Sequence, residues 1–365
     1  MKALILTAKC GMGHYNCAKA IEKILADNLY IKEIKFIDIY EEKFGKKASV
    51  FYKIYDLLVD YGNALYNLVY NKAVVTNENE NILNLLYDIM VKDFRRIIEK
   101  EKPDLVISTY SLTSEIMSTY KEKTGSKIPL ITWITDIKPH SGWINSNTDI
   151  YIAPDIKTKN DLENMGVRKD IIEIGGIPLL FKNEEIIKEK TQKRQVLLMG
   201  GGLGILPKNL KFYKKLNEME NVETTVVTGK NKSLYTKLYG KFENIKVLGY
   251  VNNVEELMRN SDLLITKPGG VTTFEGINTE TPLIVFKANL EQEIHNAKFI
   301  EENNIGKVLP FDINKGEKNL LEIINIIKDE KSLNKMKKNL KNIKNQIDPD
   351  ILEDVIFRQW EEKCS

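Results

Sequence analysis

Residues 265–277 read ITKPGGVTTFEGI, in which a short apolar run ends in KPGG (residues 267–270) and a helical pattern begins near Val271. A strand that passes through a glycine turn into a helix is the repeating unit of parallel α/β sheets. The same succession occurs in MKALILTAKCGMGHYNCAKAI (residues 1–21) and in QVLLMGGGLG (residues 195–204). These stretches predict an α/β protein.

Short apolar runs alternate with longer amphipathic stretches along the whole chain, which indicates parallel strands joined by crossover helices. The predicted strands are residues 3–7, 34–38, 105–109, 130–134, 150–153, 173–174, 195–199, 223–228, 246–248, 263–266, 283–286 and 306–309. We predict two Rossmann-like domains facing a cleft, because parallel α/β sheets bind ligands at the carboxyl ends of their strands.

The length of 365 residues exceeds what one hydrophobic core usually organises, so two domains are expected. We place an N-terminal domain at residues 1–188 and a C-terminal domain at residues 189–346, with the junction near the basic segment 188–194. Residues 347–365 predict a helix that packs back on the N-terminal domain. Its apolar side carries Ile351, Val355, Ile356 and Trp360.

Composition excludes several classes of protein. Hydrophobic residues make up 42% and charged residues 29% of the chain, which is typical of soluble globular proteins. The net charge of +3 is too small for a protein that coats nucleic acid. Three cysteines without metal-ligand spacing favour a reducing cytoplasm, and no apolar run is long enough to span a bilayer. Nothing in the sequence indicates an oligomeric state.

The KPGG turn predicts a site for phosphate groups. Glycines at residues 269 and 270 let the backbone approach a ligand, and the first helical amides, from Val271 and Thr272 onward, favour an anion. Glu275, one turn further in, is placed to accept hydrogen bonds from ribose hydroxyls. The alternative is an ordinary glycine turn followed by a solvated glutamate.

Other candidates for donor binding follow neighbouring strands. Gln292 and Glu293 begin the helical stretch after residues 283–286 and offer hydrogen-bonding groups for a sugar, although an ordinary helix N-terminus fits as well. The backbone near Tyr250 and Val251 suits a flat base. The GGGLG loop at residues 200–204 has neither the P-loop ending nor the dinucleotide pattern, which disfavours an ATPase or a dehydrogenase.

The turn after the first strand carries Gly13 and His14, so the imidazole is expected at the carboxyl end of the sheet. A histidine can accept a proton from an attacking hydroxyl at cellular pH, although a structural role in capping the turn is the alternative. Asp136 follows the strand at residues 130–134 and is a candidate to orient His14 or an acceptor. An Asx turn before Pro139 would explain it equally well.

In this order and spacing, the motifs resemble the glycosyltransferase family of the monogalactosyldiacylglycerol synthases and processive diacylglycerol glucosyltransferases. GMGHYNCAKAI, WITDIKPHSGWI, DIYIAP, IGGIPL, KPGGVTTFEGI and EQEIHNA carry the resemblance over nearly the whole chain. The resemblance implies a GT-B fold, a UDP-sugar donor, inversion at the anomeric carbon, and no metal or cofactor. Cys10 and Cys17 depart from the family pattern outside the expected chemistry.

The resemblance also implies residue roles. His14 corresponds to the general base or acceptor-binding histidine, and Asp136 lies beside it. The residues expected to bind the donor are Gly13, Gly200, Gly201, Gly202, Tyr250, Val251, Gly269, Gly270, Val271, Thr272, Glu275, Gln292 and Glu293.

The acceptor is expected to be a diacylglycerol hydroxyl at the membrane surface. Residues 45–75 carry aromatic residues among lysines, a pattern that suits a membrane interface but also a helical pair packed on the core. The aromatic residues are Phe51, Tyr52, Tyr55, Tyr61, Tyr66 and Tyr70. We expect a cytoplasmic protein bound peripherally to the inner face of the cell membrane. A polyprenyl-linked or other glycan acceptor, or a UDP-sugar sensor without catalysis, are the alternatives.

Overall fold

The computed structural model describes residues 1–10, 12–53, 80–180 and 192–364. The chain divides into two compact units, which we call unit 1 (Met1–Leu180 with Gln346–Ser365) and unit 2 (Phe181–Asn345). The predicted domain boundary between residues 188 and 189 lies outside the described residues and stays a prediction.

Unit 1 contains a parallel sheet built from six of its described segments. These strands are β1 (Lys2–Thr7), β2 (Glu33–Asp38), β3 (Leu105–Ser108), β4 (Leu130–Trp133), β5 (Ile150–Ala153) and β6 (Ile172–Ile174). Their order in the sheet is β2-β1-β3-β4-β5-β6. Each predicted strand of this half is confirmed to within one residue at either end. The direction of strand addition reverses between β1 and β3, and ligands of open α/β sheets bind at such a reversal.

Both faces of this sheet are covered, as parallel sheets require. Successive residues of β1 enter different cores, with Leu4 and Leu6 in the cluster on one face and Ala3 and Ile5 in the cluster on the other. All four side chains are fully buried. The near-continuous apolar runs of the sequence follow from this two-sided burial.

Helices of unit 1 lie between its strands. They are α1 (Gly13–Ala26), α2 (Ile39–Phe44), α3 (Glu80–Glu101), α4 (Ser111–Thr124) and α5 (Ile156–Asn164), with 3-10 turns at Gly45–Lys47, Ser141–Trp143 and Lys169–Ile171. Asp38 caps α2 by accepting hydrogen bonds from the amides of Tyr40 and Glu41.

The C-terminal helix (Ile351–Cys364) packs on unit 1, which confirms the prediction that the chain returns to its N-terminal half. Ile351, Leu352, Val355 and Ile356 are buried against the strands of the sheet. Trp360 lies at the edge of this contact, 36% exposed, with its ring centroid 5.0 Å from that of Tyr30.

Unit 2 repeats the architecture with a different strand order. Its strands are β7 (Arg194–Met199), β8 (Val222–Val227), β9 (Ile245–Leu248), β10 (Leu263–Thr266), β11 (Leu283–Val285) and β12 (Gly306–Val308). They form a parallel sheet in the order β12-β11-β10-β7-β8-β9, the arrangement of dinucleotide-binding folds, in which the reversal lies between β7 and β10. The predicted strands are again confirmed to within one residue.

The helices of unit 2 follow its strands. They are α6 (Leu210–Asn217), α7 (Lys232–Leu238), α8 (Val254–Arg259), α9 (Gly270–Thr279), α10 (Glu291–Glu302), α11 (Leu320–Lys328) and α12 (Glu330–Lys344), with a 3-10 segment at Ile313–Asn319. No helix in the described part of the chain combines the length and apolar character needed to cross a bilayer.

Candidate active site

The glycine loop after β7 stands at the strand reversal of unit 2. Gly201 and Gly204 have positive φ angles of 67° and 69°. The Gly204 amide donates to the Gly201 carbonyl over 3.0 Å, and the Lys230 amide donates to the Gly202 carbonyl over 3.0 Å. The loop is therefore held by its own backbone.

The glycines of this loop serve two different needs. A Cβ at Gly200 would lie 2.0 Å from the Ile205 carbonyl oxygen, and one at Gly204 would lie 1.8 Å from the Thr228 carbonyl oxygen. At Gly202, by contrast, a Cβ would meet no described atom within 4 Å. Packing explains the glycines at residues 200 and 204, whereas Gly202 faces open space that a ligand can occupy.

The second loop of the reversal is the KPGG turn between β10 and α9. The buried Asn296 side chain donates to the Pro268 carbonyl over 3.0 Å, and the Thr273 hydroxyl donates to the Gly269 carbonyl over 2.9 Å. Among the described residues, no side chain caps Gly269 at the start of α9. The amides of Gly270, Val271 and Thr272 therefore lie at a helix N-terminus, where the backbone favours an anion.

Glu275 lies one turn into α9 and is half-buried. Burial raises the pKa of its carboxyl group to about 7, and a hydrogen bond from the Thr272 side chain acts in the opposite direction. Near neutral pH, this carboxyl group therefore exists in both protonation states, and either state can bond to a hydroxyl group.

An ion pair joins the KPGG turn to the start of α10. Lys267 Nζ donates to Glu293 Oε1 over 2.8 Å, and both side chains are largely buried. Gln292 lies beside Glu293 in the first turn of the same helix. The predicted sugar-binding residues and the predicted diphosphate site are thus adjacent. The sequence analysis missed Lys267 and Asn296 as structural partners, although both stand inside motifs that it singled out.

Tyr250 and Val251 follow β9, the edge strand on the far side of β7 and β8. With strands about 4.8 Å apart, roughly 14 Å along the sheet separates β9 from β10. Tyr250 is 62% exposed. The structure therefore does not bring these two residues next to Glu275, and only an extended ligand would reach both.

In unit 1, His14 lies in the first turn of α1, where the chain has just left β1. Its Nδ1 atom is 3.0 Å from the Thr109 carbonyl oxygen, which follows β3, and 2.6 Å from Thr135 Oγ1, which follows β4. The Tyr110 ring stands edge-on to the imidazole at a centroid distance of 5.2 Å. The imidazole thus sits at the strand reversal of this sheet.

Asp136 is buried beside His14 but is engaged elsewhere. Its Oδ2 atom accepts a 2.8 Å hydrogen bond from Trp143 Nε1 and lies 3.7 Å from His140 Nε2. The contacts that fix His14 Nδ1 come instead from Thr109 and Thr135. The sequence analysis missed both threonines, because their positions depend on which strands end side by side.

Burial lowers the pKa of His14 below its usual value. The negative charge of Asp136 and the hydrogen bond with the Thr109 carbonyl raise this pKa, and His140 lowers it further. Burial also lowers the pKa of His140, against the charge of Asp136. Both imidazoles are therefore mainly neutral at pH 7, the form in which a histidine can accept a proton.

Of the predicted membrane-facing segment, only residues 45–53 are described. Phe44, Val50 and Phe51 are exposed, but Tyr52 is buried, and its hydroxyl donates to Asp38 Oδ1 over 2.5 Å. Including Tyr52 among the interfacial aromatic residues was therefore wrong, because its ring and hydroxyl belong to the core. Tyr55, Tyr61, Tyr66 and Tyr70 lie outside the described residues.

No cluster of three metal-ligating side chains occurs within the described ranges. The expectation that neither a metal nor a cofactor is required stays a prediction.

Comparison with known proteins identifies relatives over both units. Residues 14–179 match the family described as monogalactosyldiacylglycerol (MGDG) synthase, and residues 195–354 match the glycosyltransferase family 28 C-terminal domain. The chain is 30% identical over 355 residues to the processive diacylglycerol beta-glucosyltransferase of Bacillus subtilis, an alignment that covers 94% of this chain and 91% of the relative.

Solved structures share the fold. The glycosyltransferase of kitacinnamycin matches 98% of this chain and 99% of its own with a TM-score of 0.66 at 12% identity. MurG of Acinetobacter baumannii matches 98% and 100% with a TM-score of 0.65 at 14% identity. These likenesses confirm the predicted GT-B architecture.

Proposed function

We infer that this chain, which belongs to the glycosyltransferase family of the processive diacylglycerol glucosyltransferases and monogalactosyldiacylglycerol synthases, transfers a hexose from a UDP-sugar to a diacylglycerol-type lipid. The chain is thus an enzyme of glycolipid synthesis. The observation that carries the proposal is the placement of the α9 amides, Glu275 and the Gly202 loop at one strand reversal of unit 2.

Unit 2 is proposed to hold the donor. The amides of Gly269, Gly270, Val271 and Thr272 and those of the loop at residues 200–202 bind the diphosphate, because several backbone donors converge at the carboxyl ends of β7 and β10. Glu275 binds the ribose hydroxyls, Gln292 and Glu293 bind the sugar, and the backbone near Tyr250 and Val251 accommodates the uracil.

Unit 1 is proposed to bind the acceptor and to supply the base. Because Nδ1 of His14 is engaged by Thr109 and Thr135, the nitrogen available to an acceptor hydroxyl is Nε2. As the hydroxyl oxygen attacks the anomeric carbon, Nε2 takes its proton, and the bond from that carbon to the UDP oxygen breaks. Backbone amides stabilise the charge that develops on UDP. A single displacement inverts the anomeric configuration. Asp136 supplies a nearby negative charge that stabilises the imidazolium ion.

A lipid acceptor requires access to a membrane surface. Exposed Phe44, Val50 and Phe51 stand among the exposed lysines Lys46 and Lys47, a combination that favours adsorption to anionic bilayers. We therefore propose peripheral association with the inner face of the cell membrane. Flotation with liposomes tests this: the variant with Phe44 and Phe51 changed to Ser should lose most of its binding, and unchanged binding would remove the idea.

The direct test of the proposed function is a transfer assay with the purified chain. We expect radiolabelled UDP-glucose or UDP-galactose to label lipid extracted from diacylglycerol vesicles, and UDP-N-acetylglucosamine is the third donor to compare. His14→Gln should reduce labelling by about 100-fold or more and leave UDP binding by calorimetry unchanged. Labelling only of a polyprenyl-linked acceptor would favour the second acceptor class, and UDP binding without any transfer would favour a sensor.

A further inference from the structure

Two threonines after neighbouring strands surround one nitrogen of His14. Thr109 is fixed twice, since its amide donates to the Leu6 carbonyl over 3.0 Å and its hydroxyl donates to the His14 carbonyl over 2.9 Å. Its own carbonyl oxygen then faces His14 Nδ1 at 3.0 Å. A carbonyl oxygen only accepts hydrogen bonds, so this contact is favourable when Nδ1 carries a proton.

Thr135 adds a second oxygen to the same nitrogen. Its Oγ1 atom lies 2.6 Å from His14 Nδ1. Since Thr135 is buried, replacing its hydroxyl by a methyl group would leave an apolar atom where Nδ1–H now meets oxygen. The neighbouring Asp136, which the sequence favoured as the orienting group, directs its carboxylate to Trp143 Nε1 instead.

We propose that Thr135, with the Thr109 carbonyl, is the positioning residue that keeps His14 in the Nδ1-protonated tautomer and so leaves Nε2 as the base. The inference rests on the proposed function for its catalytic meaning. Thr135 does not touch substrate; it acts through the imidazole. When Nε2 has taken the acceptor proton, both oxygens receive the proton of the cationic ring at Nδ1.

The kinetic test compares two threonines of the same strand region. Thr135→Val should lower kcat by about ten-fold or more with little change in the KM of the UDP-sugar, and Thr135→Ser should restore most of the activity. Thr132→Val is the matched control, because Thr132 is equally buried and its hydroxyl contacts Thr148 Oγ1 rather than His14. We expect its kcat to stay within about two-fold of wild type.

The pH profile separates positioning from general damage. The groups facing His14 are Asp136 and His140, whose charges act on its pKa, and the Tyr110 ring. Losing an oxygen that stabilises the imidazolium ion should move the acid limb of kcat/KM to lower pH in Thr135→Val but not in Thr132→Val. Equal losses in both valine variants, or no recovery in Thr135→Ser, would overturn the proposal.

A second measurement decides the question without any activity. In protein labelled with ¹⁵N-histidine at pH 7.5, the side-chain signals of His14, identified by their absence in His14→Gln, should show protonated Nδ1 and unprotonated Nε2. The opposite tautomer in the wild-type chain would refute the inference even if every variant folded poorly. Absence of sugar transfer by the wild type would instead count against the proposed function.

Discussion

At the scale of single residues, the glycines after β7 make separable contributions. Gly204 is needed for folding, because its φ is positive and a Cβ there would overlap the Thr228 carbonyl oxygen. Gly202 has space around it, so Gly202→Ala should unfold at the wild-type temperature. If the diphosphate approaches this backbone, the same variant should bind UDP-glucose about ten-fold or more weakly in calorimetry. A Gly202→Ala variant with wild-type affinity would remove the loop from the donor site.

Glu275 gives the donor site a pH dependence. With a pKa near 7, its carboxyl group is increasingly ionised as the pH rises from 6 to 8, and the ionised form is the stronger acceptor for ribose hydroxyls. UDP-glucose, whose diphosphate does not titrate in this range, should therefore bind more tightly at pH 8 than at pH 6. Glu275→Gln should abolish the difference, whereas Glu280→Gln, at the other end of α9, should keep it. Equal pH dependence in all three proteins would contradict this assignment.

Burial of Glu275 also affects folding. Its pKa is raised in the folded state above the usual 4.5, so the folded chain binds the proton more tightly than the unfolded chain does. The resulting contribution favours folding below about pH 4.5 and declines as the pH rises from there through 7. Binding of the donor near neutral pH thus occurs where this carboxylate is least favourable to stability, as expected for a group kept for a ligand.

Sequence alone located His14, Glu275 and Glu293 at strand ends but not their neighbours. Thr109 and Thr135 stand 95 and 121 residues from His14 along the chain. Their meeting depends on β1, β3 and β4 being consecutive in the sheet, which no local pattern encodes. The same limit applies to Asp136, whose side chain the sequence placed near His14 without indicating that Trp143 binds it.

At the scale of elements, the strands were predictable because parallel strands are buried on both faces and read as continuous apolar runs. The ends differ by at most one residue, as in β4, which ends at Trp133 rather than residue 134. The C-terminal helix was predictable from its apolar side. Short helices such as α2 and α8, with six residues each, have too few turns to show a period and depend on packing.

The C-terminal helix should contribute measurably to the stability of unit 1. Leu352 is 1% exposed within the core beneath it, so Leu352→Ala should cost about 2–4 kcal/mol, and Glu353→Ala, on the exposed side, should change stability by less than about 0.5 kcal/mol. Urea unfolding followed by tryptophan fluorescence is well suited, because all three tryptophans, Trp133, Trp143 and Trp360, belong to unit 1. Equal midpoints for both variants would mean that the helix is not needed for this core.

At the scale of the whole molecule, fold and function have separate evidence. Structures with only 12–14% identity share the GT-B architecture, and that fold supports more than one chemistry. The assignment to glycolipid synthesis depends on relatives at 30% identity across both units and on the side chains at the two strand reversals. Which hexose is transferred depends on hydroxyl contacts near Gln292 and Glu293, and the three-donor assay decides it.

The anomeric configuration of the product tests the central claim most directly. A UDP-sugar carries its hexose in the α configuration, and one displacement by a hydroxyl whose proton passes to His14 yields the β-glycoside. Proton NMR of the lipid product formed from UDP-sugar and diacylglycerol should therefore show a β-linked hexose, and the coupling constant of its anomeric proton identifies it. An α-linked product, or release of free sugar in place of a glycolipid, would contradict the account.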